Sequence, residues 1–186
     1  MCIRAFDFVA NGDSHVTKLQ ELNFSEGMLG ATEDAIFYAD TDAAGENETI
    51  YRMDKLTGES KAVCSGSRFV ISPDGKLLAA ETPNGLQIFD LANGDLVAQM
   101  EEAVTLSDFK FSHDSSRMFF VVDTEDSSTE YPGKFYMYDV EENEFSFLFA
   151  TACIDFEWSL EANCVLVNFS YSTPSGYVPV TYRIRL

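Results

Sequence analysis

Basic residues are scarce in this sequence. Its 186 residues include 12 Lys and Arg against 31 Asp and Glu, which gives a formal net charge of −19. The phosphates of DNA, RNA and anionic lipids repel so negative a chain. We therefore expect neither nucleic acid nor a membrane surface as a partner. A basic protein, a cation and a plain solvated surface are the interpretations that the charge leaves open.

Long apolar runs and paired cysteines are also missing. No run approaches the roughly 20 apolar residues of a membrane-spanning helix, and the opening MCIRAFDFVANGD has no continuous apolar stretch of a signal peptide. The cysteines have neither the C-x-x-C spacing of a zinc site nor the density of a secreted disulfide framework. They are Cys2, Cys64, Cys153 and Cys164. We expect free thiols in a reducing cytoplasm.

Residue types that build catalytic centres are few. His15 and His113 are the only histidines, and the chain has no G-x-S-x-G motif, the nucleophile turn of α/β-hydrolases. A catalytic triad or a zinc site needs side chains that converge. The sequence therefore predicts a protein without catalytic residues, metal ligands or a cofactor. Trp158, the one tryptophan, is predicted to lie in the core and to face the following repeat.

The most informative stretch runs from Ser72 to Met100 and predicts three strands. Its first turn, Ser72-Pro-Asp-Gly75, combines a Pro that fixes φ with a Gly that tolerates positive φ. Apolar strands follow at 77–80 and 86–89. Asn93-Gly94 is a strong hairpin signal and leads into a third strand that begins at Leu96.

Both turn patterns recur along the chain. The hairpin turn appears at 10–13, 56–59, 92–95 and, more weakly, 141–144, each after an aromatic residue or Met followed by Asp. The spacing of about 36 to 49 residues is typical of repeats with four strands each. The first turn recurs at 111–115 and 158–162, before nearly continuous apolar segments that favour strands buried on both faces.

The Ser-Pro-Asp-Gly-Lys turn, the aromatic-Asp pair and the Asn-Gly-Asp turn together resemble the WD40-like β-propeller repeats of the TolB type. The resemblance implies an all-β propeller of about four four-stranded antiparallel blades. The same sequence pattern is also similar to the propeller that covers the active site in prolyl-oligopeptidase-like enzymes. We predict a single domain over 1–186, divided as follows: a partial blade at 1–20, full blades at 24–64, 67–100 and 106–150, and a partial blade at 153–186.

The two partial blades pose a problem of closure. The chain opens with the third and fourth strands of a blade and closes with the first, second and third. Two candidate third strands, one from each end of the chain, then compete for one position in the closing blade. Either the segment 177–186 pairs with an N-terminal strand in a small ring, or the ring is open and exposes strand edges. A second copy of the chain, a partner or a longer chain would complete an open ring.

Two long loops, 40–48 and 123–130, each join the second and third strands of a blade. They carry most of the acidic residues that no tight turn accounts for. In a blade of alternating connections they emerge on the same rim as the blade-to-blade connections. That rim is predicted to bind a basic segment of a partner protein through Asp40, Asp42, Glu46, Glu48, Glu101, Glu102, Asp123, Glu125, Asp126 and Glu130. The first loop begins like a calcium site but lacks its third acidic ligand. The leading prediction is a non-enzymatic scaffold; the alternatives are a hydrolase cap or a cation- or ligand-binding module.

Overall fold

The computed structural model describes residues 2–8, 14–21, 29–41, 47–102, 105–123, 133–151, 153–159, 164–174 and 176–185. Every regular element within these ranges is a β-strand, which confirms the predicted all-β fold. No helix in the described ranges is long and apolar enough to cross a membrane.

Seventeen strands make up the described fold. The first six are β1 (Cys2–Phe8), β2 (Ser14–Glu21), β3 (Leu29–Ala31), β4 (Ala35–Thr41), β5 (Glu48–Asp54) and β6 (Ser60–Ser65). The middle eight are β7 (Arg68–Ile71), β8 (Leu77–Thr82), β9 (Gly85–Asp90), β10 (Leu96–Met100), β11 (Leu106–Phe111), β12 (Arg117–Asp123), β13 (Gly133–Asp139) and β14 (Glu144–Thr151). The last three are β15 (Cys153–Trp158), β16 (Cys164–Thr173) and β17 (Gly176–Arg185).

These strands form five sheets in which consecutive strands are neighbours. Three sheets are four-stranded: blade 1 (β3–β6), blade 2 (β7–β10) and blade 3 (β11–β14). Strands β15–β17 form a three-stranded sheet, and β1 and β2 form a two-stranded sheet of their own. Neighbours such as β8 and β9, or β12 and β13, run antiparallel. The three four-stranded sheets span 29–65, 68–100 and 106–151, and the predicted division of one domain into full and partial blades stays a prediction.

The sheet order also bears on the closure problem. Within the described residues, β17 pairs with β16, and β1 pairs with β2. Pairing of the segment 177–186 with an N-terminal strand stays a prediction. The chain divides into two compact units, 1–69 and 70–186. Completion of the ring by a second copy or a longer chain stays a prediction.

The turn between the first and second strands is built around a serine and an aspartate. In blade 2 the Ser72 hydroxyl donates to Asp74 Oδ1 at 2.7 Å and accepts from the Leu77 amide at 2.9 Å. Gly75 lies at φ +71°. In blade 3 Ser112 and Asp114 repeat the 2.7 Å hydrogen bond. This side-chain network explains why the Ser-x-Asp pattern recurs.

Blade 3 uses a serine where blade 2 uses a glycine. Ser115 occupies the left-handed region at φ +62° and is buried, with 7% of its surface exposed. Its hydroxyl accepts a hydrogen bond from the Asp74 amide of blade 2 at 2.9 Å. A non-glycine residue in this region costs about 1–2 kcal/mol. The bond to the neighbouring turn gives the serine a role that a glycine cannot fill.

The hairpin between the third and fourth strands is closed by the recurrent aspartate. Asp54 Oδ1 accepts from the amides of Leu56 and Thr57, both at 2.8 Å, and these bonds lower the pKa of Asp54. Asp90 accepts in the same way from the Ala92 amide at 2.7 Å. Asp139 accepts from two amides at 3.1 Å.

Each hairpin turn needs one residue at positive φ. Gly58 lies at +74°, Gly94 at +81° and Asn143 at +53°. The predicted positive φ of Gly94 is confirmed. The turn is longer than a two-residue Asn-Gly hairpin, however, because Asp90 pairs its amide with the Asp95 carbonyl and its carbonyl with the Gly94 amide. The Asp cap stabilises this wider loop, which spans Leu91 to Asp95.

The core of the second unit consists of two apolar layers on either side of β12. Phe120 packs with Leu86 and Ile88 of blade 2, while Phe119 packs with Phe156 and other side chains of the β15–β17 sheet. Both phenylalanines are fully buried. Alternate residues of a strand point to opposite faces, so this strand is apolar throughout. Within the first unit, Tyr38 and Met53 form a smaller buried cluster.

Gly85 and Gly94 provide a matched test of the turns. A Cβ at Gly85, where φ is +96°, would lie 2.3 Å from the Met100 carbonyl oxygen, whereas a Cβ at Gly94 meets nothing within 4 Å. We expect Gly94→Ala to cost about 1–2 kcal/mol for the backbone alone. Gly85→Ala should cost about 1–3 kcal/mol more because the backbone must move. Equal losses in urea unfolding would contradict the described register.

Ser115 provides a test of the bond between turns. We expect Ser115→Ala to lower the free energy of unfolding by about 1 kcal/mol, because the Asp74 amide loses its acceptor. Ser115→Gly should be less destabilising, since glycine removes the cost of the left-handed backbone. Ser116 is the control because its hydroxyl bonds only to the exposed Asp114 carboxylate of its own turn. A loss at Ser116→Ala as large as at Ser115→Ala would show that the contact between turns contributes nothing.

Candidate functional site

In blade 2, the β8–β9 turn lies beside the end of β10. The close approach of Gly85 to the Met100 carbonyl and the Glu101 backbone shows this directly. The Gln99 amide also donates to the Asn84 carbonyl at 3.3 Å. Pro83, Asn84, Gln99 and Glu101 line a shallow depression of about 300 Å³. The connection within the blade and the connection to the next blade therefore share one edge, as alternating connections predict.

Two further carboxylates lie at the start of β11, directly after that connection. Glu81 Oε1 of blade 2 accepts a hydrogen bond from the Leu106 amide of blade 3 at 3.0 Å. Asp123, the last residue of β12, accepts from the Ser107 hydroxyl and donates its amide to the Thr105 carbonyl. We call Glu81, Glu101, Glu102 and Asp123 the acidic edge. It is formed by consecutive blades of the second unit.

The residues of the acidic edge differ in how much the fold uses them. Glu81 and Asp123 hold β11 in place through their hydrogen bonds. Glu101 and Glu102 lie in an exposed turn. Exposed carboxylates in a turn contribute little to folding and are available to a ligand. Glu81 was not predicted, since its contact with Leu106, 25 residues further along the chain, is not visible in the sequence.

The other predicted site residues divide between the first unit and the undescribed segments. Asp40 is half-buried in β4, where it pairs with Thr49, and Glu48 is exposed at the start of β5, where it pairs with Thr41. These two lie at one end of the same hairpin in blade 1. The remaining predicted residues lie outside the described residues: Asp42, Glu46, Glu125, Asp126 and Glu130. The partial calcium pattern begins at Asp40 and continues into the undescribed residues 42–46, so it stays a prediction.

The opposite edge of the blades is acidic for a structural reason. Its aspartates, Asp54, Asp90 and Asp139, each accept hydrogen bonds from turn amides. Glu141 and Glu142 are exposed in the last of these turns. The charges at this edge thus follow from the turn geometry. The exposed pair Glu141–Glu142 resembles Glu101–Glu102 in residue type, exposure and position in a turn.

An aromatic pair with one half-buried and one exposed ring lies on blade 3. Tyr136 of β13 is paired in register with Phe147 of β14, and their ring centroids are 5.4 Å apart at an interplanar angle of 68°. Phe147 keeps 56% of its surface exposed. Burial and the negative charge of Glu102 raise the pKa of Tyr136. The pair was not predicted, because neither the register of β13 with β14 nor the exposure of Phe147 follows from the strand pattern.

A lysine connects blade 3 with the β15–β17 sheet. Lys110 Nζ lies 2.9 Å from both Asp108 and Glu157, 3.0 Å from the Phe156 carbonyl, and 5.1 Å from the centre of the Phe156 ring. Burial acts to lower the pKa of Lys110, but the bonds to Glu157 and Asp108 outweigh it and raise the value. The lysine is therefore satisfied by the fold, and we assign it a structural role.

Trp158 lies in the core, as predicted, with 7% of its surface exposed. Its indole nitrogen donates to the Lys110 carbonyl at 2.8 Å and its ring packs edge-on against Phe119. Both contacts belong to blade 3, so the ring faces the preceding blade. The predicted orientation toward the following repeat is wrong, because the end of β15 packs back onto β11 and β12.

The remaining candidate nucleophiles and bases of the described region do not form a reactive group. His113 is exposed in the turn between β11 and β12. Burial raises the pKa of Cys64 to about 12, which keeps the thiol protonated and unreactive. Cys164 is fully buried and accepts a hydrogen bond from Arg183 Nε. The side chains of His15, Cys2 and Cys153 lie outside the described residues.

Neither protein-family models nor curated proteins match this chain. Several solved structures do match it. The β-propeller domain of the trilobed protease from Pyrococcus furiosus, described as having an open velcro topology, is 18% identical with a TM-score of 0.69 and covers 84% of this chain. The tricorn protease is 13% identical with a TM-score of 0.67 and covers 98% of it.

TolB from Acinetobacter baumannii is 15% identical with a TM-score of 0.57 and covers 97% of this chain. The chain spans only 54%, 20% and 48% of these three structures, respectively. Similarity at such low identity shows the fold alone. Together with the four-stranded antiparallel sheets, it confirms the predicted TolB-like architecture: the fold is a β-propeller of about four blades.

Proposed function

We propose that this chain is a non-enzymatic protein-binding module that docks a Lys- and Arg-rich segment of a partner at the acidic edge. The observation that carries the proposal is the position of Glu101 and Glu102. They are exposed where two loop connections meet, beside Glu81 and Asp123. Blade loops held by a rigid sheet are common positions for binding residues.

The contrast between the two edges supports the choice of site. At the opposite edge the recurrent aspartates bond to turn amides, so folding explains them. Among the described residues, Glu101 accepts only a long hydrogen bond, 3.5 Å from the Gln99 side-chain amide, and the Glu102 carboxylate bonds to no amide of its turn. The predicted loop residues Glu125, Asp126 and Glu130 belong to the connection that begins after Asp123, and we include them in the proposed surface. Asp42 and Glu46 follow Asp40 in blade 1 and would extend the same kind of site there.

Physical considerations define what such a surface does. Charges at the border of an interface mainly steer association and contribute less to final affinity. Their influence is screened beyond about 8–10 Å at physiological salt. A basic segment would therefore associate quickly at low salt and more slowly as salt is added. The net charge of −19 strengthens the attraction.

A second candidate function is that of an accessory or cap domain for a hydrolase. Two of the similar structures, the trilobed protease domain and the tricorn protease, belong to proteases. The chain itself contains no G-x-S-x-G motif. In this alternative the chemistry resides on another polypeptide that binds one face of the blades. A hydrolase that copurifies with the chain in a fixed ratio, and whose substrate range changes when the chain is removed, would favour it.

Charge reversal at the acidic edge tests the leading proposal. We expect the double variant Glu101→Lys, Glu102→Lys to slow association of a fluorescent peptide of alternating lysine and glycine by about 3- to 10-fold. The reason is that two attractive carboxylates become repulsive ammonium groups along the approach of the peptide. Stopped-flow fluorescence at several salt concentrations would measure the rate and its salt dependence, and thermal unfolding would show that the variant is folded.

The matched control is Glu141→Lys, Glu142→Lys, which makes the same charge change in an exposed turn at the opposite edge. We expect it to change the rate much less than the first double variant. Equal slowing by both variants would mean that only the net charge of the chain matters. No slowing by either would remove the acidic edge as a docking site.

A further inference from the structure

The half-buried Tyr136 and the exposed Phe147 lie on the outer part of blade 3, next to the acidic edge. Tyr136 and Met100 both pack against the same core cluster, and Glu101 and Glu102 directly follow Met100. The charge of Glu102 acts on Tyr136, and together with burial it raises the pKa of the phenol. Glu102 and the half-buried Tyr136 ring are therefore neighbours.

The buried core holds the Tyr136 ring of the pair in place. The Tyr136 ring stacks on the fully buried Phe120 ring, with centroids 5.5 Å apart and planes 14° from parallel. Phe145 packs edge-on against Phe120 at 5.9 Å. The Tyr136 hydroxyl makes no hydrogen bond among the described residues. An aromatic surface that the core already fixes can bind a ligand with little loss of side-chain freedom.

Phe147 is an unusual side chain to leave in water. More than half of its surface is exposed, whereas the neighbouring aromatic residues on the same face are buried or half-buried. Aromatic faces carry partial negative charge and attract cations, most strongly the guanidinium group, which also stacks. This chain already shows the principle within its fold, since Lys110 lies over the Phe156 ring.

We propose that Phe147 and Tyr136 form a binding site for an arginine side chain of a partner protein, with Glu102 as the counter-ion. The guanidinium group stacks on the exposed Phe147 ring beside Tyr136, and the carboxylate accepts its N–H donors. Charge complementarity defines the occupant, because an apolar ligand would leave Glu101 and Glu102 unused and a negative ligand would be repelled. The inference rests on the proposed function and narrows it from a basic segment to one with an arginine at a fixed position.

Two peptides of the same length and charge test this inference, one of alternating arginine and glycine and one of alternating lysine and glycine. Fluorescence anisotropy at fixed salt would give both dissociation constants for the full chain. We expect the arginine peptide to bind several-fold more tightly. In Phe147→Leu, which keeps an apolar side chain but removes the ring, we expect arginine-peptide binding to weaken about 3- to 10-fold and the preference for arginine to disappear.

Tyr182→Leu is the matched control, because Tyr182 is a similarly exposed aromatic residue, at 48%, on the β15–β17 sheet. It should leave both affinities unchanged. If arginine and lysine peptides bind wild type equally, or if Phe147→Leu keeps the preference for arginine, the aromatic site is wrong. In that case a continuing effect of Glu101→Lys, Glu102→Lys would still support the acidic edge. If neither peptide binds wild type, both proposals fail.

Discussion

The burial of β12 on both faces is the constraint on which the second unit depends. Phe119 and Phe120 are adjacent in sequence, yet one belongs to the core shared with the β15–β17 sheet and the other to the core shared with blade 2. Removing a fully buried phenylalanine side chain typically costs about 3–5 kcal/mol. Since sheets packed face to face leave no polar face, charges must collect at strand ends and turns. The division between an apolar interior and acidic edges follows from this packing.

The turns explain how much of the fold can be predicted from the sequence. Ser72, Asp74 and Gly75 form a network within a single short turn, and Asp90 with Gly94 forms another. Patterns as local as these can be recognised from the order of residues alone, and their recurrence predicts the blades. The position of Ser115 at positive φ could not be predicted, because its compensating bond is made with a different blade.

The candidate site was only partly predictable for the same reason. Glu101 and Glu102 are visible as charges between two predicted strands. The contact of Glu81 with Leu106 depends on packing between blades, and the contact of Tyr136 with Phe147 depends on the register of β13 with β14. Phe145, Phe147 and Phe149 occupy alternate positions of β14, so no pattern distinguishes the exposed Phe147 from the half-buried Phe145 and Phe149.

The stack of Tyr136 on Phe120 has a consequence for stability. Phe120 belongs to the cluster that joins blade 2 to blade 3, so Tyr136 is part of the outer layer of that cluster. A molecule that binds to this layer only in the folded chain adds to the work of separating the two blades. By mass action, a ligand at about a hundred times its dissociation constant raises the free energy of unfolding by about 2.7 kcal/mol. The melting temperature of the protein then rises with the concentration of the partner.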